Sequence, residues 1–298
     1  MSKVKLSLGF DVERPHGSFT ESKKSIDVRK RQITFIKKLS KLLDEEEVPR
    51  TFFILGNYLE KCLDDFSTEE LRKVYDHDNK LNEIQQHTYG HPMIRNIKER
   101  ADKQAVTPKE FGKDLLKANS ILKDILDVSP TGIRTPFGYS RDLLDIPELL
   151  AELERLKFRY VSSDLRSENS LEAPLTVKRQ PHTYYLAGYP NIVEIPSHGW
   201  QDAIFTGEMA QKFLKRKPIH NAEQIFGHYN GLLERAIDLA KRNTVIYVSL
   251  CLHPWAMMEY DPTLRILRRT VNSAKSKNIE IISYGTVADE VLTSKMPS

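Results

Sequence analysis

Cysteine is almost missing from this chain. Cys62 and Cys251 are the only two in 298 residues, too few for a disulfide framework. Cys251 lies in the apolar run VIYVSLCL, where a reduced, buried thiol is expected. A secretory leader is not expected either, since MSKVKLSLGFDVE shows neither a long apolar region nor a small-residue cleavage site. No stretch approaches the run of about 18 apolar residues that a membrane span needs. Charge of one sign is not in excess either. The 45 basic and 41 acidic residues leave a net +4, which gives no argument for a nucleic-acid partner. A basic run such as KRK at 215–217 reads as a solvated face. An anionic substrate is allowed but not implied. Neither a fixed-period repeat nor a low-complexity linker is present, and glycine and proline are scattered through the loops. These absences lead us to expect a cytoplasmic protein without a transmembrane segment, folded as one domain over residues 1–298. A homo-oligomer is compatible with the sequence.

What is present is an ordinary globular composition, 40% hydrophobic and 29% charged. Short apolar runs alternate with longer amphipathic ones. Strands are expected at Val4–Phe10, Arg50–Leu55, Glu83–Gln86, Gly132–Thr135, Phe158–Val161, Ile192–Ile195, Val245–Leu252 and Ile279–Ser283. A helix is expected from about Asp27, as its N-cap, to Glu46, with Ile33, Ile36, Leu39 and Leu43 at helical spacing. Further helices are expected over roughly Pro108–Leu126, Arg141–Leu156, Ala222–Lys241, Pro262–Lys277 and Thr286–Leu292. Repeated alternation of strand and helix implies crossover units, hence an α/β fold with a mostly parallel sheet. The least regular stretch, 164–221, would decorate one rim of a barrel. In such barrels the reactive groups sit where strands end.

The expected strand ends carry such groups. Asp11 and Glu13 follow the first strand in LSLGFDVE, and two residues apart on an extended chain they face one side. His87 and His91, in QQHTYGHP, follow the third. On a helical turn that spacing would put them about 5–6 Å apart at Cβ, which suits one zinc ion, although chance also produces such pairs. Arg134 closes TGIRT, Asp164 follows FRYVSS and His253 ends VIYVSLCLH. One carboxylate with two imidazoles makes a three-ligand metal site with a position left for water. A second carboxylate can take a proton from that water and a third imidazole can protonate a leaving amine. Arg134 can hold the base carboxylate by charge-assisted hydrogen bonds. These parts describe metal-assisted hydrolysis of an amide.

With these residues in place, the sequence resembles the polysaccharide deacetylase family, the NodB-homology domain of carbohydrate esterase family 4, from about Val4 to Val291. HTYGH meets the family's H-[ST]-x-x-H motif, RTPFG meets R-x-P-[YF]-G, and LCLH meets L-x-x-H. The resemblance implies a deformed (β/α)7-type barrel and one divalent metal ion, expected to be zinc. It implies His87 and His91 as ligands, Arg134 orienting the base, a backbone N–H near Phe137 at the oxyanion, and His253 as acid with Asp164 as its partner. Two motifs depart from the pattern. GFDVE stands where adjacent acids are usual, so we assign Asp11 as base and Glu13 as third ligand. SSDLRS keeps one Asp of D-x-x-D-W and lacks its Trp.

Phe137, Tyr139, Trp200 and Trp255 are candidates for substrate contact. VEIPSHGWQD would bring His198, Trp200 and Asp202 to the rim, and the tyrosines of TYYLAGY would line a groove or fill space. His16, His77, His182, His220 and His228 have no partner nameable from sequence. The leading expectation is a metal-dependent hydrolase removing acetyl from an N-acetylated sugar or sugar precursor. The alternatives are an amidohydrolase of small cyclic or linear C–N amides, and a catalytically silent carbohydrate-binding protein on the same scaffold.

Overall fold

The first strand, β1 (Val4–Val12), is buried at every position, as a strand covered on both faces must be. Its two faces are nevertheless different. Val4, Leu6, Leu8, Phe10 and Val12 join the largest apolar cluster, together with helix residues such as Ile33, Ile36 and Leu39. Ser7, Gly9 and Asp11 alternate with them and point the other way, toward the barrel interior. There Phe53, Tyr160 and Tyr284 belong to a separate buried cluster. Polar residues on the inward face of a buried strand are the mark of a site.

The computed structural model describes residues 3–13, 23–97, 104–207, 210–211, 221–241 and 244–294. After β1 come β2 (Arg50–Ile54), β3 (Asn82–Gln86), β4 (Gly132–Tyr139), β5 (Tyr160–Asp164), β6 (Glu172–Ala173), β7 (His182–Tyr184), β8 (Tyr189–Glu194), β9 (Gly199–Trp200), β10 (Ile246–Leu252) and β11 (Glu280–Ile281). Nine of them form one sheet in the order β10-β1-β2-β3-β4-β5-β8-β7, with β11 beside β1. Every pairing in it is parallel except the β7–β8 hairpin. This is the expected deformed α/β barrel with helices outside it.

Among the described residues no strand ladder closes the barrel. Between β10 and the segment that follows β8, Ser249 carbonyl accepts from His198 N–H at 2.8 Å and from Ser197 Oγ at 3.2 Å. The Ser249 N–H donates to His198 Nδ1 at 3.1 Å. His198 Nε2–H donates to the Arg179 carbonyl at 2.9 Å. A buried imidazole, 1% exposed, thus bridges the seam. Burial drives its pKa down to about 4 against the smaller upward pull of the Arg179 carbonyl, so the ring is neutral.

Helix Pro108–Leu126 has the expected bounds, because Thr107 and Glu110 form a reciprocal capping box ahead of Pro108. Two other starts differ from expectation by more than three residues. The first helix runs Lys23–Glu45, so Asp27 lies within it rather than capping it. The helix expected from Arg141 begins at Pro147, which supplies a preset φ at its first turn. Short helices Gly56–Cys62, Thr68–Tyr75 and Pro254–Tyr260 have too few turns to show a clear period in sequence. Among the described residues no helix is long and apolar enough to cross a membrane. The KRK run at 215–217 and the residues His16 and His220 lie outside the described residues.

Candidate active site

Asp11 ends the inward face of β1, 2% exposed. Arg134 on β4, fully buried, donates from Nη1 to Asp11 Oδ1 at 2.5 Å. Its Nη2 donates to the Tyr284 hydroxyl, which in turn donates to the Leu250 carbonyl at 3.0 Å. The guanidinium lies 4.3 Å from the Phe53 ring centroid and 4.9 Å from that of Tyr284. Burial opposes its charge, but Asp11, with smaller contributions from Tyr284 and Cys251, outweighs burial and raises its pKa. Gly9 makes this packing possible. A Cβ there would stand 2.6 Å from Arg134 Nη2 and 2.8 Å from Tyr284 Cε2.

His87 leaves β3 with its N–H bonded to the Ile54 carbonyl at 2.9 Å. Its Nδ1–H donates to the Arg134 carbonyl at 2.9 Å, which fixes the tautomer and leaves Nε2 as an electron-pair donor. The chain from His87 to His91 is a loop and not a helical turn. Thr88 and His91 both take left-handed φ values, 68° and 58°. Asp114, on helix Pro108–Leu126, holds the loop by accepting from Tyr89 N–H at 2.7 Å and Gly90 N–H at 2.9 Å. The loop brings the two imidazole centroids to 5.1 Å.

Glu13 completes this group. Its Oε2 is 3.4 Å from His87 Nε2 and 2.9 Å from His91 Nε2, and the three donor atoms lie within 4.8 Å of one another. Burial would raise the Glu13 pKa, but His91 and then His87 outweigh it and hold the carboxyl well below its ordinary range. The side chains of Glu13 and His91 remain 14% and 16% exposed, so the cluster opens to solvent on their side. One carboxylate and two imidazoles around a common point, with the His87 tautomer fixed by the Arg134 carbonyl, fit a divalent ion.

On the opposite side stands His253, the residue after β10. Its Nε2 is 3.8 Å from Asp11 Oδ2 and 3.7 Å from Glu13 Oε1. Its partner is Asp202, not Asp164: Nδ1 stands 2.7 Å from Asp202 Oδ1, and the His253 N–H donates to Oδ2 at 2.8 Å. Tyr260 hydroxyl also donates to Asp202 Oδ2, at 3.1 Å. Burial alone would lower the imidazole pKa. Asp202, Asp11 and Glu13 together reverse that and push it up to about 9. Asp164 is instead engaged by Arg179 Nη2 at 2.5 Å, and burial, against the opposing Arg179 charge, raises its pKa to about 7.

The remaining expectations divide. Phe137, at φ 71°, lays its ring 4.5 Å from that of His91, and Trp255 stands 5.6 Å from His253. Tyr139 does not line a groove: it is 4% exposed and its hydroxyl accepts from Ile94 N–H at 2.9 Å, bracing the loop beyond His91. Trp200 packs against the main core, its N–H donating to His228 Nε2 at 3.1 Å. His198 is at the seam and not at the rim. His182 pairs with Asp142 at 3.0 Å, and His77 stands 3.4 Å from Asp78. Tyr184 hydroxyl donates to the buried Glu194, whereas Tyr185 is exposed. Tyr284, Tyr260 and Cys251, whose thiol donates to Asp11 Oδ2 at 3.4 Å, had no signal in sequence beyond the strand or helix end that carries them.

Residues 28–161 match the family model described as polysaccharide deacetylase. Over that span the chain is similar to the polysaccharide deacetylase family. That family is one of hydrolases acting on the C–N amide bonds of acetylated sugars, and the match includes His87, His91 and Arg134. Solved structures agree on the fold. A Mycobacterium smegmatis protein described as a candidate polysaccharide deacetylase superposes at TM-score 0.70 with 18% identity, covering 99% of this chain and 92% of its own. A Pseudomonas aeruginosa PAO1 protein similarly described gives 0.63 at 16%, covering 99% and 93%. A structure named Puue allantoinase gives 0.65 at 15%, covering 99% and 92%. Among curated proteins, none matches the sequence. The deacetylase domain's metal-binding character has a counterpart here in the Glu13, His87 and His91 group.

Proposed function

We propose that this polysaccharide-deacetylase domain is an active, metal-dependent deacetylase of an N-acetylated sugar, with Glu13, His87 and His91 holding one zinc ion. The observation that carries the reading is the convergence of those three donors on one side of Asp11 with the Asp202-oriented His253 on the other. When bound, the ion would supply Lewis-acid polarisation and a water of lowered pKa.

The chain's own residues supply the rest. Arg134 holds Asp11 Oδ1, so we assign Oδ2, which also meets the Cys251 thiol at 3.4 Å, to take the proton of the attacking water. A base must face that proton within hydrogen-bond reach, and Arg134 holds the carboxylate in one rotamer for it. His253 presents Nε2 to the same space, and the Asp202 carboxylate favours its protonated form. It therefore gives the proton to the departing sugar nitrogen as the C–N bond breaks. We assign the Phe137 backbone N–H, in a left-handed turn beside His91, as a donor to the carbonyl oxygen as it gains charge. The survival of Asp11, Glu13, His87, His91, Arg134 and His253 in one constellation does not favour a silent scaffold. The test is acetate release from N-acetyl sugars by the zinc-loaded protein. Loss of that release on chelation, and its return with zinc, supports the reading. A zinc-loaded protein that binds these sugars without releasing acetate would sink it.

A further inference from the structure

The ligand group is not the only metal-competent arrangement of side chains in the barrel. We infer that Asp11, Cys251 and His253 form a second, weaker site for a thiophilic divalent ion, and that filling it inhibits the enzyme. Cys251 Sγ, Asp11 Oδ2 and His253 Nε2 lie within 4.8 Å of one another. The register explains why. Gly9 pairs with Cys251 and Phe10 with Leu252 across β1 and β10, so Asp11 falls beside His253. Cys251 and His253, two residues apart on an extended chain, face the same side as Asp11.

Asp11 and His253 each have one atom held from outside the group and one that faces Cys251 Sγ or its neighbour. Arg134 takes Asp11 Oδ1, and Asp202 takes His253 Nδ1. A carboxylate on the far ring nitrogen is the usual support of an imidazole that binds a metal. The atoms that face one another are spaced for one ion. Sγ is 3.4 Å and Nε2 3.8 Å from Asp11 Oδ2. Ligands at about 2.0–2.3 Å from a tetrahedral zinc stand about 3.3–3.6 Å apart. A thiolate among them favours soft cations such as zinc and cadmium over magnesium or calcium.

Two features make this site the weaker one. The Arg134 guanidinium sits against Asp11, and the Cys251 thiol must give its proton to solvent when the ion binds. Occupancy ties up Oδ2 of the proposed base and Nε2 of the proposed acid together. The inhibitory half of the inference therefore rests on the proposed function. The binding half does not.

The experiment titrates cadmium, then zinc, into metal-free full-length protein. With cadmium, a thiolate-to-metal charge-transfer absorption is expected to grow after the first equivalent is bound. Cys62→Ser should keep it, and both Cys251→Ser and Cys251→Ala should lose it while still binding the first equivalent. With zinc, acetate release should peak near one equivalent and fall about tenfold or more in excess. Each Cys251 variant, judged against its own one-equivalent rate, should resist that excess. The absence of the band in the wild type, or its persistence in both Cys251 variants, would overturn the inference. A band without any acetate release would leave this site standing and remove the proposed function. Acetate release without a band would do the opposite.

Discussion

Asp202 Oδ1 stands 2.7 Å from His253 Nδ1, with both groups buried. Asp202, and not Asp164, holds the ring of the proposed proton donor. Asp202→Asn should therefore lower the His253 pKa and move the alkaline limb of the kcat/KM profile to lower pH. The sign follows from the acid's role, which requires the protonated ring. Asp164→Asn should leave that limb in place. Equal displacement by both variants would return Asp164 to the role expected from sequence.

His253→Ala should keep its metal and lose about 10²–10⁴-fold in turnover, the usual share of a general acid. The loss should shrink for substrates whose leaving group needs less protonation. A constant loss across a leaving-group series would make His253 a structural residue.

His87→Ala or His91→Ala should abolish tightly bound zinc, read by elemental analysis, while the circular dichroism spectrum stays near that of the wild type. Stoichiometric metal in both variants would undo the ligand assignment.

The two carboxylates of DVE should separate by readout. Asp11→Asn is expected to retain zinc and lose rate. Glu13→Ala is expected to lose zinc affinity, because its Oε2 is the oxygen between the two imidazoles. The reverse pattern would exchange their roles.

His198 gives a stability prediction. Its folded pKa of about 4 lies below the ordinary histidine value of 6.5. The unfolded chain then binds more protons between those limits, so this contribution is complete above pH 6.5 and is lost as pH falls toward 4. The amount at stake is on the order of 3 kcal/mol. His198→Gln should be less stable than the wild type at pH 7 and show a flatter decline in urea midpoint between pH 6.5 and 4. A wild-type midpoint constant over that window would refute the assignment.

Much of this was readable from residues alone. Both faces of β1 follow from the alternation in VKLSLGFDV, and the Thr107, Pro108 and Glu110 signals bound their helix. His87, His91, Arg134 and His253 stand at strand ends, where a barrel puts chemistry. Asp202 was harder to read. It sits on a 3₁₀ turn, Asp202–Phe205, within the aperiodic stretch, and its meeting with His253 spans 51 residues. Asp164 had the better position in sequence, at the end of β5, but Arg179 from the same aperiodic stretch captures it. Tyr284 is 150 residues from Arg134, so no local pattern could connect them. The His87–His91 loop depends on two left-handed residues that are not glycine, and local preference argues against such geometry.

The seam that His198 bridges runs between β10 and the segment after β8. His253 follows the first of these, and Asp202 lies four residues beyond His198 on the second. The proposed proton donor and its carboxylate are therefore brought in from opposite banks of a joint that, among the described residues, no strand ladder secures. A chain whose parallel strands had formed while this joint still stood open would already possess the three metal donors and Asp11, and would lack an oriented acid. In such a chain hydrolysis would wait for the seam to close, and the onset of activity during refolding would time that event.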